Sequence, residues 1–275
     1  MQRDLLSILA CPMCKTAPLG IETASQEELL ACSGCGRKYR AEGPIPDLLP
    51  EGLGSDLSAA HAEWSRWSGK LRNFIQWRKQ TWNGSAAADR FRSQVDEIKT
   101  AFVDFTGLRN SGRRILDVGC GSGIRSYLGS CAYVGVDPLL IEGHQYDFPV
   151  VRGVGEHLPF RDGSFDEAVL NQVLDHCNSI DGVLREAVRV AGPDGAVNVM
   201  QYTSEADGLL AGTYNMLIRV YLAIKGVRTL DTKMSRFDRK SIEAYFRERF
   251  RDVNVVRYSQ TQIFIRARGW KENPQ

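Results

Sequence analysis

The segment Ile115–Gly123, with the sequence ILDVGCGSG, decides the fold of this chain. Its first residues are branched and apolar except for one acid, Asp117, and predict a buried strand. Glycine then occupies three alternate positions, Gly119, Gly121 and Gly123. Glycine adopts positive φ without steric cost and lets a ligand approach backbone N–H groups. The segment therefore predicts a strand, a tight glycine turn and a helix begun by Ile124–Gly129, whose N-terminus faces a ligand.

A second apolar run, Ala132–Val136, ends in the acid Asp137, which follows Gly123 by 14 residues. An acid at the end of the second strand of such a unit accepts hydrogen bonds from ribose hydroxyls. The dinucleotide-binding fingerprint requires a third glycine where this chain has Ile124. The GxGxG spacing therefore favours a nucleoside-containing ligand other than a dinucleotide.

This spacing resembles motif I of the class I S-adenosylmethionine-dependent methyltransferases, and YVGVDP (133–138) resembles their second motif. Two further blocks follow in the family's order, GEHLPFRDGSFDEAVLNQVLDH (155–176) and LREAVRVAGPDGAVNV (184–199). The resemblance implies an α/β fold, a Rossmann-like seven-stranded methyltransferase sheet with helices on both faces. It also implies S-adenosylmethionine as cofactor and methyl transfer to an O, N or C nucleophile. The implied cofactor-binding residues are Asp117, Gly119, Gly121, Gly123, Asp137, Pro138, Gly155, Glu156, His157 and Asn171.

The adenine end of the predicted cofactor site departs from the family's pattern. Val154 stands where family members often have an acid that receives the adenine amino group. We therefore expect Glu156 and the backbone groups of Gly155 and His157 to read adenine instead, although Glu156 also fits a surface loop acid. A fourth strand, 166–170, ends at Asn171, which we expect to face the methionine half of the cofactor.

His176 is the candidate general base for the transfer. It lies just after the fourth strand, and its ordinary pKa near neutrality suits removal of a proton from an acceptor hydroxyl. The alternative is that His176 only hydrogen-bonds neighbouring backbone groups. Asp175 and His157 are weaker candidates.

Two CxxC pairs predict a metal site near the start of the chain. Cys11 and Cys14 form one pair, Cys32 and Cys35 the other, and 17 residues separate the pairs. Four thiolates converging in this way suit Zn²⁺ and leave no open coordination position, so the site is structural rather than catalytic. Two disulfides or a redox CxxC motif are the alternatives.

The residues around these cysteines resemble the Trm112-like zinc ribbon. The resemblance covers 1–50, from the leucine-rich start DLLSILACPMCK to CSGCGRKYRAEGPIPDLLP at 32–50. In that family the small domain is often a separate activator of methyltransferases. The resemblance therefore implies a partner fused to its enzyme.

The rest of the chain divides into a linker at 51–60, a helical lid at 61–110 and a methyltransferase domain at 111–275 with a cap insertion at 203–236. Within the lid, 61–82 mixes four tryptophans with five bases. This mixture predicts either a packed lid with a solvated basic face, which we favour, or a surface that stacks on single-stranded RNA.

The charges are distributed unevenly although the net charge of the 275 residues is only +2. Residues 137–195 carry 11 acids and 4 bases, whereas 213–251 carries 10 bases and 4 acids. A basic cap beside an acidic cofactor domain would draw an anionic acceptor to the cap side.

Composition and motifs leave three functions open. We expect a cytoplasmic enzyme, because no apolar run is long enough to span a bilayer and the apolar residues before Cys11 are too few for a signal peptide. A small-molecule acceptor, a metabolite or natural-product intermediate, is the first choice. RNA is the second acceptor class, supported by the zinc ribbon and the basic lid. A non-catalytic cofactor-binding adaptor is the third hypothesis.

Overall fold

The computed structural model describes residues 3–24, 27–41, 45–50, 86–140, 144–203, 237–259 and 261–272. The predicted linker, the tryptophan-rich part of the lid up to residue 85, and the cap insertion from residue 204 lie outside these residues. The lid and cap predictions therefore remain predictions, apart from the helix that ends the lid segment.

The N-terminal part of the chain is a small antiparallel ribbon. A short helix, α1 (Arg3–Ile8), precedes a three-stranded sheet of consecutive hairpins. Leu30 and Tyr39 face each other across two of its strands and are both buried. The strands are β1 (Gly20–Ala24), β2 (Glu27–Ala31) and β3 (Lys38–Arg40).

The rest of the described chain forms one seven-stranded sheet, which confirms the predicted architecture. Its order is β6-β5-β4-β7-β8-β10-β9, with the first five strands parallel and β10 antiparallel to both of its neighbours. The strands are β4 (Arg114–Val118), β5 (Ala132–Asp137), β6 (Val150–Arg152), β7 (Glu167–Asn171), β8 (Ala196–Tyr202), β9 (Phe250–Arg257) and β10 (Gln262–Trp270).

The central strands are apolar on both sides because helices cover both faces of the sheet. On one face, Phe102 packs edge-to-face on Phe264 with ring centroids 5.4 Å apart. On the other face, Val118 and Leu170 share a buried cluster with Phe246. The helices are α2 (Ala86–Thr106), α3 (Arg125–Leu128), α4 (Ile180–Ala191) and α5 (Arg239–Arg249).

The ribbon segment that follows β3 covers the edge of the large sheet at β6. Asp47 forms a parallel bridge with Arg152, and the N–H of Leu48 donates to the Arg152 carbonyl at 2.8 Å. The Arg152 N–H in turn donates to Pro46 at 2.9 Å, and its guanidinium contacts the Asp47 carboxylate at 2.7 Å. The backbone groups at this sheet edge are therefore satisfied within the chain, where an open edge would recruit another strand.

A second contact joins α1 to the segment that follows β6. Leu9 bridges Phe160, and the N–H of Ala10 donates to the Pro159 carbonyl at 3.0 Å. Leu9 and Leu30 of the ribbon are buried in the same apolar cluster as Phe160. The ribbon and the large sheet therefore share one core.

The ends of two helices have identifiable local causes. Asp238 caps α5, because its Oδ1 accepts from the Ser241 N–H at 2.8 Å. The helix predicted to begin at Ile124–Gly129 is a single turn, Arg125–Leu128. It ends where Gly129 adopts φ of 69° against Asn110, whose side chain occupies the space of a Cβ.

Candidate functional site

The glycine turn predicted after the first strand of the sheet is present. Gly119, Gly121 and Gly123 all have positive φ, at 68°, 51° and 80°. A Cβ on Gly119 would lie 2.6 Å from Val173, and one on Gly123 would lie 2.7 Å from the Phe148 ring. At both positions a side chain is excluded by close packing as well as by backbone conformation. Around Gly121 a Cβ would meet no atom within 4 Å, so open space lies beside the middle of the turn.

Asp137 ends β5 beside this turn, as predicted. Its Oδ2 accepts from the Gly121 N–H at 2.9 Å, and its Oδ1 accepts from the Leu139 N–H at 2.7 Å. Burial raises the pKa of Asp137, and the two backbone hydrogen bonds lower it. Each carboxylate oxygen has a second lone pair, so the group can also accept from ribose hydroxyls.

Asp117 and Asn171 lie on the same face of adjacent strands. Asp117 pairs with Val169 across β4 and β7, and Asn171 follows two residues later on the same side. Within the part of the chain that the structure describes, Asp117 Oδ1 and Asn171 Oδ1 are buried and accept no hydrogen bond. Buried acceptors without donors are rare and costly, and they fit a ligand that brings donors of its own. The cationic amino group of S-adenosylmethionine is such a donor.

The predicted adenine-reading residues form a single 3₁₀ turn, Gly155–His157, that leads away from β6. Glu156 Oε1 accepts from the Asn178 N–H at 3.0 Å, so one of its oxygens is engaged at the start of α4. Burial, and secondly the charge of Lys15, lower the pKa of His157. A role of these residues in adenine binding stays a prediction, and so does a cofactor contact of Pro138, which directly follows β5.

His176 lies in another 3₁₀ turn, Leu174–His176, directly after β7. The turn is on the same edge of the sheet as the glycine turn. His176 Nε2 is 3.7 Å from Asp175 Oδ1, and the His176 side chain is 26% exposed. The placement is compatible with a base at the rim of the site, and the catalytic role stays a prediction.

The four cysteines of the ribbon meet as predicted. Their sulfur atoms all lie within 4.8 Å of one another. The sulfurs of Cys11 and Cys35 are 3.6 Å apart, and those of Cys14 and Cys32 are 3.4 Å apart. Four sulfurs bound to one Zn²⁺ at about 2.3 Å in a tetrahedron are separated by roughly 3.8 Å. The donor set and its spacing therefore fit zinc.

Three polar residues in or beside the large sheet escaped the sequence analysis. Tyr133 bonds Asp117 from the neighbouring strand, and Lys99 from α2 lies 3.4 Å from the Gly123 carbonyl. Gln201, near the end of β8, is fully buried, and neither end of its amide has a partner among the described residues. In the sequence, each of these positions is marked only by a polar residue within an apolar segment. That pattern does not reveal which residue the side chain contacts.

Two family models match this chain. Residues 116–199 match "Methyltransferase domain", and residues 2–41 match "Trm112p-like protein". The first range contains the glycine turn, Asp137 and His176, and the second contains all four ribbon cysteines. Among the described helices, none has the length and apolar character needed to cross a membrane.

The relatives are methyltransferases at low identity. Demethylmenaquinone methyltransferase of Corynebacterium kroppenstedtii is 25% identical over 168 residues, covering 58% of this chain and 69% of the relative. Ubiquinone/menaquinone biosynthesis C-methyltransferase UbiE of Pseudomonas aeruginosa is 26% identical over 161 residues, or 52% of this chain, which spans only 62% of that relative. The PH0226 protein of Pyrococcus horikoshii shares the fold, with a TM-score of 0.50 at 16% identity over 70% of this chain and 96% of that one. The glycine-turn geometry and these matches agree that residues 116–199 form a domain similar to S-adenosylmethionine-dependent methyltransferases and that residues 2–41 form a Trm112-like domain.

Proposed function

We propose that this protein transfers the methyl group of S-adenosylmethionine to a small-molecule acceptor. The observation that carries the proposal is the set of carboxylate and amide oxygens around the glycine turn, from Asp137 on one side to Asp117 and Asn171 on the other. Asp137 suits a ribose, and the two unsatisfied oxygens suit a cationic amino group. These are the two polar ends of the cofactor on either side of its sulfonium.

In this account, the residues of the chain act mainly by orientation. The cofactor supplies an activated methyl group, and catalysis requires the acceptor nucleophile in line with it. Alignment of two reactants can supply roughly 7–11 kcal/mol of barrier reduction. His176, after β7, is our candidate to take the acceptor's proton.

The small-molecule assignment rests on the relatives and on charge. The two relatives described above are named for quinone methylation, and we extend an acceptor of that general size to this chain. The basic residues 213–251 would draw an acceptor with a phosphate or carboxylate to the cap side. Replacing Arg219 or Arg236 with Ala should then reduce turnover while the affinity for S-adenosylhomocysteine is retained.

An acceptor screen scored by S-adenosylhomocysteine release tests this function. It should include the reduced form of demethylmenaquinone, hydroxylated aromatic acids and a mixed RNA. We expect turnover with a small molecule and none with RNA. Turnover on RNA alone would contradict the assignment.

RNA methylation is the second candidate, because the chain carries a Trm112p-like domain together with a basic, tryptophan-rich segment. RNA binding would fall with salt at a log–log slope of about −0.7 per phosphate contacted by a single strand. We expect weak binding at physiological salt. Tight binding with a steep slope, reduced by changing Arg72 or Lys79, would favour RNA. If the protein binds the cofactor but turns over no acceptor, the remaining hypothesis is a non-catalytic cofactor-binding adaptor.

A further inference from the structure

The side chain of Tyr133 is fixed in the core beside the glycine turn. Tyr133 belongs to β5 and is only 4% exposed. Its ring packs edge-to-face on Phe148, with centroids 4.8 Å apart. The hydroxyl donates to Asp117 Oδ2 and accepts from the Ile124 N–H at 3.0 Å. One hydroxyl thus joins the acid inside β4 to the residue that ends the glycine turn.

The hydrogen bond divides the two oxygens of Asp117 into different roles. Oδ2 is satisfied by Tyr133, whereas Oδ1 is buried and without a donor among the described residues. The carboxylate is 1% exposed, so water does not compensate for the missing bond. A donor brought by a ligand would satisfy Oδ1 without disturbing Oδ2.

The charged and titratable groups around Asp117 lie on β5, on α2 and in the glycine turn. Burial has the largest effect on its pKa and raises it, and Asp137 at the end of β5 also raises it. Tyr133 and Lys99 of α2 lower it, and together these effects bring the pKa of Asp117 to about 7. The Cys120 thiol in the turn has a pKa raised by burial and stays neutral. Tyr133 is therefore the neighbour whose hydrogen bond most favours the ionised carboxylate.

The same hydroxyl restrains the glycine turn. A Cβ on Gly123 would lie 3.1 Å from the Tyr133 oxygen, so the turn passes close to the hydroxyl. The hydrogen bond from the Ile124 N–H to the Tyr133 hydroxyl fixes the end of the turn next to Tyr133. Loss of the hydroxyl would free both the carboxylate and the end of the turn.

We propose that Tyr133 is a positioning residue of the cofactor site, whose hydroxyl holds Asp117 so that Oδ1 receives the cationic amino group of the cofactor's amino-acid half. The inference rests on the proposed function, because it takes S-adenosylmethionine as the ligand of the turn. It adds that recognition of the amino group depends on a tyrosine that does not itself touch the cofactor.

The test compares two ligands in Tyr133→Phe, which keeps the ring and removes the hydroxyl. S-adenosylhomocysteine carries the amino group, and 5′-methylthioadenosine lacks it. We expect calorimetry to show about a tenfold loss of affinity for the first, the effect of one hydrogen bond to a charged group, and less than a threefold loss for the second. Tyr245→Phe is the matched control, because Tyr245 also donates to an aspartate, Asp181, but at the contact between α4 and α5.

The pH dependence of S-adenosylhomocysteine affinity distinguishes this role from a general loss of packing, which would not shift it. Removing the Tyr133 hydroxyl raises the pKa of Asp117, so the pH below which S-adenosylhomocysteine affinity declines should rise by about one unit. Equal losses for the two ligands, or an unmoved profile, would overturn the proposal.

If Tyr133→Phe does not fold, the wild-type protein still decides the question. Its affinity for S-adenosylhomocysteine should decline as pH falls through 7, while that for 5′-methylthioadenosine stays level. Parallel profiles would refute the role of Asp117 and Tyr133. A wild-type protein that binds neither ligand would instead refute the proposed function itself.

Discussion

Lys15, in the turn that carries the first pair of ribbon cysteines, lies 2.6 Å from the carboxylate of Glu186 on α4. Both side chains are largely buried, and the Lys15 ammonium also donates to the Pro12 carbonyl at 2.9 Å. Burial lowers the pKa of Lys15, and the bond to Glu186 opposes that shift. The turn that carries Cys11 and Cys14 is thus held against a helix of the methyltransferase domain by a charged pair.

We predict that Lys15→Met destabilises the folded chain. It leaves the Glu186 carboxylate partly buried with Arg189 as its remaining partner among the described residues, which should lower the free energy of unfolding by about 1.5–3 kcal/mol. Lys38→Met is the matched control, because its pair with Glu22 is roughly half exposed and should contribute less than about 1 kcal/mol. Urea denaturation measures both. Equal effects would show that the contact between ribbon and helix is not held by this pair.

The strands around the site could be predicted from the sequence because their signals are local, whereas the seven-stranded architecture is implied by the family resemblance. The apolar runs and glycines place β4, β5 and β7 to within a residue or two of their ends. Asp137 and the ribbon cysteines are located by the same short-range patterns. These elements follow from periodicity and turn chemistry alone.

The rest of the site depends on contacts that a local pattern does not contain. Tyr133 meets Asp117 only because the register of β4 and β5 brings them together. Asp47 covers the edge at Arg152 from 105 residues away. The short length of α3 follows from the approach of Asn110 to Gly129. The residues of α3 themselves do not predict this contact.

We predict that Asp117→Asn stabilises the cofactor-free protein above neutral pH. The pKa of Asp117 is raised from 3.8 to about 7, so the folded state holds this proton more tightly than the unfolded chain. The stability of the wild type should therefore decline as pH rises from about 4 to about 7 and then level off. An amide has no such penalty and should gain on the order of 2–4 kcal/mol at pH 8.

Chemical denaturation at pH 5 and pH 8 checks this expectation. The difference between Asp117→Asn and wild type should be larger at pH 8, and the variant should bind S-adenosylhomocysteine more weakly. A variant that is less stable than wild type at pH 8 would show that the ionised carboxylate supports the fold.

We predict one Zn²⁺ per chain, bound by Cys11, Cys14, Cys32 and Cys35. Elemental analysis of protein purified without chelator should find it, and Cys32→Ser should lose it together with stability of the ribbon. Cys131→Ser, a buried cysteine outside the cluster, is the control and should keep the metal. Stoichiometric zinc in Cys32→Ser would contradict the assignment.

Binding of S-adenosylhomocysteine to Asp137→Ala tests the central claim most directly. The wild type should bind one molecule per chain, and the variant should lose about 1.5–3 kcal/mol for each charge-assisted hydrogen bond from the ribose. Asp104→Ala, which removes an exposed carboxylate paired with Arg109, should bind like the wild type. Calorimetry that finds a large loss in Asp137→Ala alone would support the cofactor site at the glycine turn. Unchanged affinity in that variant would contradict it.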